Sequence, residues 1–239
     1  MKILTLNTWG VHGPTERRLA LVEAIRSLKP DILCLQEVTD PKLLDSFLYT
    51  TRLHLPDSWL STVSHFPVLE HRVLSYSAIS PLEPYRRQAL LVKLQAGSDP
   101  LWVVNTHLAW QAADEATRLA QVEELLTQIA PLGDRLVMGG DFNASPETLV
   151  IQGIRDNGFI DLFARFHPHD PGVTWDNQNP FIQSHSVKFP DRRIDYLFLH
   201  QNLADWADPT GCEVVCRAPN PEGLYPSDHY GVLASFRRR

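Results

Sequence analysis

Gly139-Gly140-Asp141-Phe142-Asn143 follows the apolar run Leu136-Val137-Met138 and places an acid and an amide two residues apart. The same pattern, an apolar run that stops at a polar residue, recurs along the chain. It occurs at Asn7, Glu37, His107 and Asp195, and the chain closes with Ser227-Asp228-His229. Short apolar runs predict buried strands. Their polar ends therefore predict the rim of a sheet, where these side chains converge on one site.

Hairpins and helical crossovers together predict a mixed-sheet α/β or α+β domain. Because the polar strand ends span Asn7 to His229, we expect one domain over 1–239. Residues 51–68 are ambiguous, and 167–191 form a long polar loop of the functional or mobile kind. The predicted strands are 2–9, 31–38, 69–79, 88–96, 101–108, 135–142, 193–199, 212–217 and 230–237, and the predicted helices are 15–29, 41–50, 113–130 and 146–157. In helix 15–29 the expected core stripe is Leu19, Val22, Ile25 and Leu28.

The composition is that of an ordinary globular protein, with 44% hydrophobic and 21% charged residues among 239. A net charge of −6 excludes a global basic field, although a local patch remains compatible with nucleic acid. Three cysteines provide no disulfide framework. The first strand begins at Met1-Lys2 and no apolar run approaches membrane-spanning length, so we expect a cytoplasmic location. We expect no stable membrane association and no obligate protein partner.

Asp141 and Asn143 would point to the same face if the segment between them were extended. Asp141 can then accept a proton from water, while Asn143 can donate to a phosphate oxygen or orient that water. The preceding double glycine would let the backbone approach a ligand closely. This combination favours a site over a simple Asp-x-Asn turn.

Glu37 ends an apolar strand, where an unpaired buried carboxylate is costly. A metal ion or another cation is expected to compensate, and the alternative is a helix-capping or salt-bridged acid. Asn7, on the first strand, either joins that site or only satisfies backbone groups. Oxygen donors of this kind suit Mg²⁺ or Mn²⁺ better than zinc. His107 and His229 stand at strand ends among polar neighbours, and Asp195 is a candidate to fix the tautomer of one of them.

Arg87 and Trp175 are weaker candidates for substrate binding. A guanidinium suits phosphate, although an arginine at a strand start is often a surface residue. Trp175, in the long loop, either covers the core or stacks on a substrate, and the sequence leaves both open. The remaining histidines are predicted to be surface or loop residues: His12, His54, His65, His71, His167, His169, His185 and His200.

Together these motifs resemble the endonuclease/exonuclease/phosphatase superfamily, relatives of deoxyribonuclease I, over essentially the whole chain. The motifs that carry the resemblance are Leu6-Asn7-Thr8-Trp9-Gly10, Leu35-Gln36-Glu37-Val38, Asn105-Thr106-His107-Leu108, Gly140-Asp141-Phe142-Asn143, Arg193-Ile194-Asp195-Tyr196 and Ser227-Asp228-His229. The resemblance implies a four-layer α/β/β/α sandwich with two mixed β-sheets and the use of Mg²⁺ or Mn²⁺.

The resemblance also implies a role for each matching residue. Glu37 would be the main metal ligand, with Asn7 and Asp228 beside it. Asp141 would orient or deprotonate water, and Asn143 would bind phosphate. The transition state would be stabilised by His229, with Asp195 behind it, and His107 would contact the scissile phosphate.

Two branches of the superfamily share further motifs with this chain. Three stretches resemble the 5′-tyrosyl-DNA phosphodiesterases: Val173-Thr174-Trp175-Asp176-Asn177-Gln178-Asn179, Arg87-Gln88-Ala89-Leu90 and Tyr225-Pro226-Ser227-Asp228-His229-Tyr230-Gly231. The opening Leu6-Asn7-Thr8-Trp9-Gly10 is instead similar to neutral sphingomyelinases. We expect a divalent-metal phosphodiesterase acting on nucleic acid, with DNA or its ends as substrate. The alternatives are a sphingomyelinase-like lipid phosphodiesterase, a sugar or inositol phosphatase, and an inactive binding module.

Overall fold

Two mixed β-sheets form the centre of the protein in a computed structural model that describes residues 1–202 and 207–238. Within those residues the strands are β1 (Lys2–Asn7), β2 (Ile32–Gln36), β3 (Thr51–Leu55), β4 (Leu60–Ser64), β5 (Val68–Ser75), β6 (Gln88–Leu94), β7 (Leu101–His107), β8 (Leu136–Asp141), β9 (Phe159–Asp161), β10 (Asp195–His200), β11 (Ala207–Val215) and β12 (Gly231–Arg238). The first sheet has the order β11-β12-β1-β2-β4-β3 and the second β5-β6-β7-β8-β10-β9. The β1–β2 and β7–β8 pairs are parallel and the other pairs are antiparallel.

Helices cover the outer faces of the two sheets. They are α1 (Arg17–Leu28), α2 (Glu115–Ile129) and α3 (Leu149–Asp156). The short α4 (Leu162–Phe166) instead contributes Leu162 and Phe163 to the core between the sheets. α1 packs on the first sheet, where Leu21 and Ile25 join Leu4 and Leu33 in one core cluster. α2 and α3 pack on the second sheet. The order of layers is α/β/β/α, which confirms the predicted sandwich.

The inner faces of the sheets make the central core. Ile3 and Cys34 from the first sheet meet Val92 and Val137 from the second, and all four are fully buried. Burial of such a side chain contributes about 1.5–3 kcal/mol relative to exposure. The strands are apolar on both faces because one face packs on a helix and the other on the opposite sheet.

Gly139 and Gly140 have a packing role that the sequence did not predict. A Cβ on Gly140 would lie 2.1 Å from the Thr106 carbonyl oxygen, and one on Gly139 would lie 2.8 Å from Leu197 Cδ2. The glycines thus let β8 pack closely against β7 and β10. This contact between strands is a reason for the two glycines besides the predicted close approach of the backbone to a ligand.

Several local predictions also differ from the structure. The region 41–50 contains only a 3₁₀ helix, Pro41–Ser46, because Phe47 is already extended. The ambiguous region 51–68 contains the β3–β4 hairpin. Leu19 is 67% exposed because Arg17, Leu21 and Ile25, four residues apart, take the buried stripe of α1. β9 and α4 were not predicted, since each is too short to show a period. No helix in the described part of the chain is long and apolar enough to cross a membrane.

Candidate active site

The polar ends of three neighbouring strands in the second sheet lie side by side. Asp141, the last residue of β8, is aligned with His107 on β7 and with Asp195 on β10. All three side chains are buried. The His107 Nε2 atom lies 3.5 Å from the Asp141 Oδ2 atom. Strand register therefore concentrates two carboxylates and a histidine at one edge of the sheet.

Asn7 connects this edge to the first sheet. Its Nδ2 donates hydrogen bonds of 3.0 Å to Asp141 Oδ2 and to Glu37 Oε1. Its Oδ1 accepts a hydrogen bond from the Trp9 backbone N–H at 3.0 Å. Asn7 thus bridges two carboxylates from opposite sheets. Glu37 is only half-buried, which differs from the buried acid that the sequence predicted, because it lies just beyond the end of β2.

The segment from Asp141 to Asn143 was predicted to be extended, but the Asn143 backbone has a left-handed φ of 50°. This turn lets its backbone N–H donate to Asp141 Oδ1 at 3.0 Å, while its Nδ2 donates to the Leu108 carbonyl at 3.2 Å. Asp141 and Asn143 nevertheless line the same pocket. The turn fixes both side chains, because Asp141 accepts the hydrogen bond of an Asx turn and asparagine tolerates the left-handed backbone conformation at position 143.

His229 and Asp195 form a buried pair. The His229 Nδ1 atom lies 2.9 Å from Asp195 Oδ2, and its Nε2 lies 3.8 Å from Asp141 Oδ2. The Thr174 hydroxyl oxygen accepts hydrogen bonds from the backbone N–H groups of Ile194 and Asp195, which holds the start of β10 in place. The Asp195 carboxylate therefore orients the His229 imidazole, and the second ring nitrogen of His229 faces Asp141.

Burial and charge shift the protonation of this group in opposite directions. Burial lowers the pKa of His229, but Asp195, Asp141 and Asp228 together outweigh it and raise that pKa to about 10. Burial, followed by the Asp195 charge, raises the pKa of Asp141 to about 7. Burial, with the nearby Arg87 and His229 charges, lowers the pKa of His107 well below its usual value. The site thus combines a cationic His229 with a neutral His107.

Asp228 has a partner that the sequence analysis missed. His185 was predicted to be an ordinary loop histidine, but its Nε2 lies 2.9 Å from Asp228 Oδ2. The Asp228 Oδ1 atom accepts a hydrogen bond from the Ser227 hydroxyl, and the Ser227 oxygen accepts one from the backbone N–H of His229. Adjacent residues Asp228 and His229 therefore have different partners. A loop histidine has no periodic signal, so only the tertiary structure reveals this contact.

Arg87 and Trp175 both lie at the pocket. Arg87 is 6% exposed, and its Nε donates to Glu83 at 2.6 Å. Trp175 is also 6% exposed and makes edge-to-face contacts with His185 and His229. The surface interpretation of Arg87 is therefore wrong. Trp175 both covers buried residues and faces the pocket.

The pocket, of about 380 Å³, has walls that are largely aromatic. Besides Trp175, the tryptophan side chains in these walls belong to Trp9, Trp59 and Trp110. No role was predicted for Trp59 and Trp110, because Trp59 lies in a hairpin and Trp110 in a loop, and neither segment carries a motif. The sequence analysis also missed Arg192, which lines the same pocket. Aromatic faces beside charged groups suit a ligand with planar rings and an anion.

Backbone strain is concentrated around this pocket. Non-glycine residues with left-handed φ include Trp9 at 57°, Glu37 at 56°, Trp59 at 55° and Asn143 at 50°. All four line the pocket. Such conformations persist where the surrounding structure holds them, and they cluster at functional sites.

The donor set fits a hard divalent cation. Carboxylates of Glu37, Asp141 and Asp228 line one pocket, and a buried oxygen of Asp195 has no hydrogen-bond partner among the residues that the structure describes. Ligand atoms of Asp141, Asp195 and His229 also lie within 4.8 Å of one another, but a cationic His229 has no lone pair to offer a metal ion, so the Glu37 and Asp228 carboxylates are the better donors. Oxygen-rich sites of this kind bind Mg²⁺ or Mn²⁺.

The structure thus combines an α/β/β/α sandwich with acids and histidines that meet at the strand ends. The family model described as the Endonuclease/Exonuclease/phosphatase family matches residues 4–229. The chain belongs to this family, which confirms the resemblance drawn from its motifs.

Individual relatives are more distant. The chain is 23% identical over 256 residues to tyrosyl-DNA phosphodiesterase 2 of Xenopus laevis, covering 97% of this chain and 66% of the relative. The corresponding protein of Xenopus tropicalis is 22% identical over 263 residues, covering 96% of this chain and 65% of the relative. The chain therefore spans about two thirds of the length of these curated relatives.

Solved structures share the fold. A crystal structure of D. rerio TDP2 complexed with single strand DNA product has a TM-score of 0.79 at 18% identity, covering 99% of this chain and 98% of that one. The human Nocturnin catalytic domain with bound sulfate anion has a TM-score of 0.74 at 18% identity, covering 100% and 94%. At 18% identity these comparisons show a shared fold and nothing beyond it.

Proposed function

We propose that the protein is a divalent-metal phosphodiesterase that hydrolyses phosphodiester bonds in nucleic acid, with DNA or DNA ends as substrate and residues 1–239 as one catalytic domain. The observation that carries the proposal is the pocket in which Asp141 and the Asp195–His229 pair meet the Glu37 and Asp228 carboxylates. The aromatic walls support a nucleic-acid ligand, because bases stack on aromatic side chains. The relatives named for tyrosyl-DNA and for bound single strand DNA support the same substrate class.

In this proposal Asp141 is the general base that accepts a proton from the attacking water. A pKa of about 7 suits that role, because a base near the working pH combines the right protonation state with sufficient basicity. His229, cationic and oriented by Asp195, stabilises the charge that develops on the phosphoryl oxygens. Its Nε2 faces the same side of the pocket as Asp141.

Other residues bind and orient the phosphate. Asn143 has a second amide proton beyond the one used on Leu108, and it can donate this proton to a phosphate oxygen. His107, neutral and buried, contacts the scissile phosphate as a hydrogen-bond partner. Arg87 supplies positive charge from the pocket wall, and Trp175 supports His229 and faces the substrate.

Glu37 and Asp228, with Asn7 beside them, would hold Mg²⁺ or Mn²⁺. The bound cation would polarise the phosphoryl oxygen. Asn7 currently directs its amide nitrogen at Glu37 and Asp141, so it also keeps these carboxylates together. His185 fixes Asp228 from the opposite side.

The test is hydrolysis of a substrate panel with Mg²⁺, Mn²⁺ or EDTA. The panel contains plasmid DNA, end-labelled single-stranded DNA, a 5′-tyrosyl oligonucleotide, sphingomyelin and an inositol phosphate. We expect metal-dependent cleavage of DNA and its loss in Asp141→Asn prepared in parallel, which excludes a contaminating nuclease. Cleavage of only the lipid or only the monoester would reject the nucleic-acid assignment, and no metal-dependent cleavage of any member would reject the enzyme.

A further inference from the structure

Arg192 occupies an unusual position between the 167–191 loop and β10. Its guanidinium carbon lies 3.8 Å from the centre of the Phe189 ring and 5.8 Å from that of Trp175. The backbone of Arg192 is hydrogen-bonded to Trp175 in both directions, at 2.9 and 3.0 Å. The side chain lines the pocket together with Asp141 and His229. The contact with the Phe189 ring and the backbone pairing with Trp175 therefore hold Arg192 at the wall of the pocket.

The Nε atom of Arg192 is buried and has no hydrogen-bond partner within the part of the chain that the structure describes. A buried donor without a partner is unfavourable and calls for an explanation, such as strain, an ordered water, an ion or a ligand. Arg87, the other guanidinium in the pocket, differs in this respect, because its Nε donates to the buried Glu83 at 2.6 Å. Arg192 is thus the arginine in the pocket lining whose guanidinium forms no hydrogen bond or ion pair with the described residues, so its charge is not already taken up by a protein carboxylate.

The charges around Arg192 explain why it does not simply pair with the protein. The carboxylates that act on it are Asp141 and Asp195, but neither forms an ion pair with it among the described residues. Both Asp141 oxygens accept hydrogen bonds from Asn7 and Asn143, and Asp195 is paired with His229 through one of its two oxygens. A phosphate presents oxygens that match the planar fork of a guanidinium in two parallel hydrogen bonds. The free edge of Arg192 fits such a ligand.

We propose that Arg192 is a substrate-binding residue whose guanidinium, held in place by Phe189 and Trp175, binds the phosphate group that enters this pocket. The proposal rests on the proposed function and adds a specificity-determining contact to it. Arg192 distinguishes an anionic phosphate from a neutral end of the same nucleic acid. It also gives the 167–191 loop, through Phe189, a part in substrate recognition.

The experiment compares two trinucleotides with uncharged methylphosphonate linkages, one with a 5′-phosphate and one with a 5′-hydroxyl, by calorimetric titration with Mg²⁺ present. The terminal phosphate is then the single anionic group that differs between them. Wild-type protein should prefer the phosphorylated form by about 10-fold or more, as a charge-assisted hydrogen bond provides. In Arg192→Met the preference should be about 10-fold smaller than in the wild type, and the other phosphate contacts account for whatever preference is left.

Two further variants keep the result interpretable. Arg192→Gln preserves a planar amide over Phe189 without the charge, and it should reduce the preference as Arg192→Met does. Arg165→Met removes one exposed arginine outside the pocket lining, and it should bind both trinucleotides as the wild type does. If Arg192 only packs the loop, both trinucleotides will weaken equally in Arg192→Gln and the ratio will stay unchanged, which overturns the proposal.

The outcome is separable from that of the proposed function. A wild-type protein that hydrolyses DNA but shows no preference for the 5′-phosphate would overturn the role of Arg192 and leave the enzyme assignment intact. A protein that hydrolyses no DNA but has a reduced phosphate preference in Arg192→Gln would overturn the enzyme assignment and support the anion contact.

Discussion

At the scale of single residues, the pairing of Asp195 with His229 governs the electrostatics of the site. Strand register sets Asp195 directly opposite Asp141, so two buried carboxylates share one edge of the sheet. His229 contacts Asp195 closely and faces Asp141 through its second nitrogen. A cationic imidazole between two acids offsets their mutual repulsion.

Asp195→Asn should lower the pKa of His229. In metal-free wild-type protein His229 is expected to titrate at about 10, and loss of the Asp195 charge removes the largest contribution that raises it. Titration of the imidazole by NMR measures this directly. An unchanged pKa in Asp195→Asn would show that the pair does not control the charge.

The same pair should make the stability of the metal-free protein depend on pH. Folding raises the pKa of His229 above the value of about 6.5 for an exposed histidine. The protonated pair therefore stabilises the fold fully below about pH 6.5, and its contribution is lost as pH rises through about 10. Urea unfolding across this range should show the loss in wild type and a smaller loss in His229→Gln.

At the scale of secondary-structure elements, Arg17 ties the first turn of α1 to the loop that carries Trp9. It is 1% exposed, and its guanidinium donates to backbone carbonyls. These acceptors are Thr8, Trp9, Gly10, His12 and Pro226. Because Pro226 is close in sequence to Asp228, the same side chain holds two segments that line the pocket.

Arg17→Met should destabilise the fold by about 3 kcal/mol or more, because it leaves several buried carbonyls without donors. The neighbouring Arg18→Met is the matched control. Arg18 forms a half-exposed ion pair with Asp40, of a kind worth about 0–1 kcal/mol. Chemical denaturation of both variants measures the difference, and equal effects would show that the carbonyl contacts contribute little.

Two glycine substitutions should have opposite signs. In Gly140→Ala the new Cβ would lie 2.1 Å from the Thr106 carbonyl, so we expect a loss of about 3 kcal/mol. Gly153, inside α3, has open space around a Cβ, and Gly153→Ala should stabilise by about 0.5–1 kcal/mol. Thermal unfolding distinguishes them. A tolerated Gly140→Ala would contradict the close packing of β7 and β8.

The sequence predicted those parts of the fold and site that have a periodic or positional signal. Asn7, Glu37, His107 and Asp141 could be placed because each follows an apolar run that had to be a strand. Other features depend on contacts between distant segments and have no such signal. They are the burial of Arg17, the His185–Asp228 contact, the pocket positions of Trp59, Trp110 and Arg192, and the short elements β9 and α4.

At the scale of the whole molecule, the site exists only when the two sheets are packed together. The first sheet and its loops supply Asn7, Glu37 and Asp228, and the second supplies Asp141 and Asp195. The apolar core between the sheets sets the distance between these two groups. A cation held at this junction would therefore bind the native state and not the unfolded chain.

Mg²⁺ or Mn²⁺ should consequently raise the unfolding temperature. Binding to the native state alone adds about 2.7 kcal/mol at a concentration of 100 Kd. The shift should be strongly reduced in Glu37→Gln and retained in Glu213→Gln, an exposed control on β11. Thermal scans with and without EDTA provide the comparison, and an equal shift in both variants would exclude Glu37 as a ligand.

The most direct test of the account is hydrolysis of end-labelled single-stranded DNA by wild type and Asp141→Asn, each with Mg²⁺ or EDTA. We expect wild type to cleave the DNA with Mg²⁺ and to leave it intact with EDTA. The kcat of Asp141→Asn should be lower by about 10²–10⁴-fold, while its unfolding transition remains cooperative. Cleavage by Asp141→Asn at the wild-type rate, or cleavage by wild type that EDTA leaves unchanged, would contradict the account.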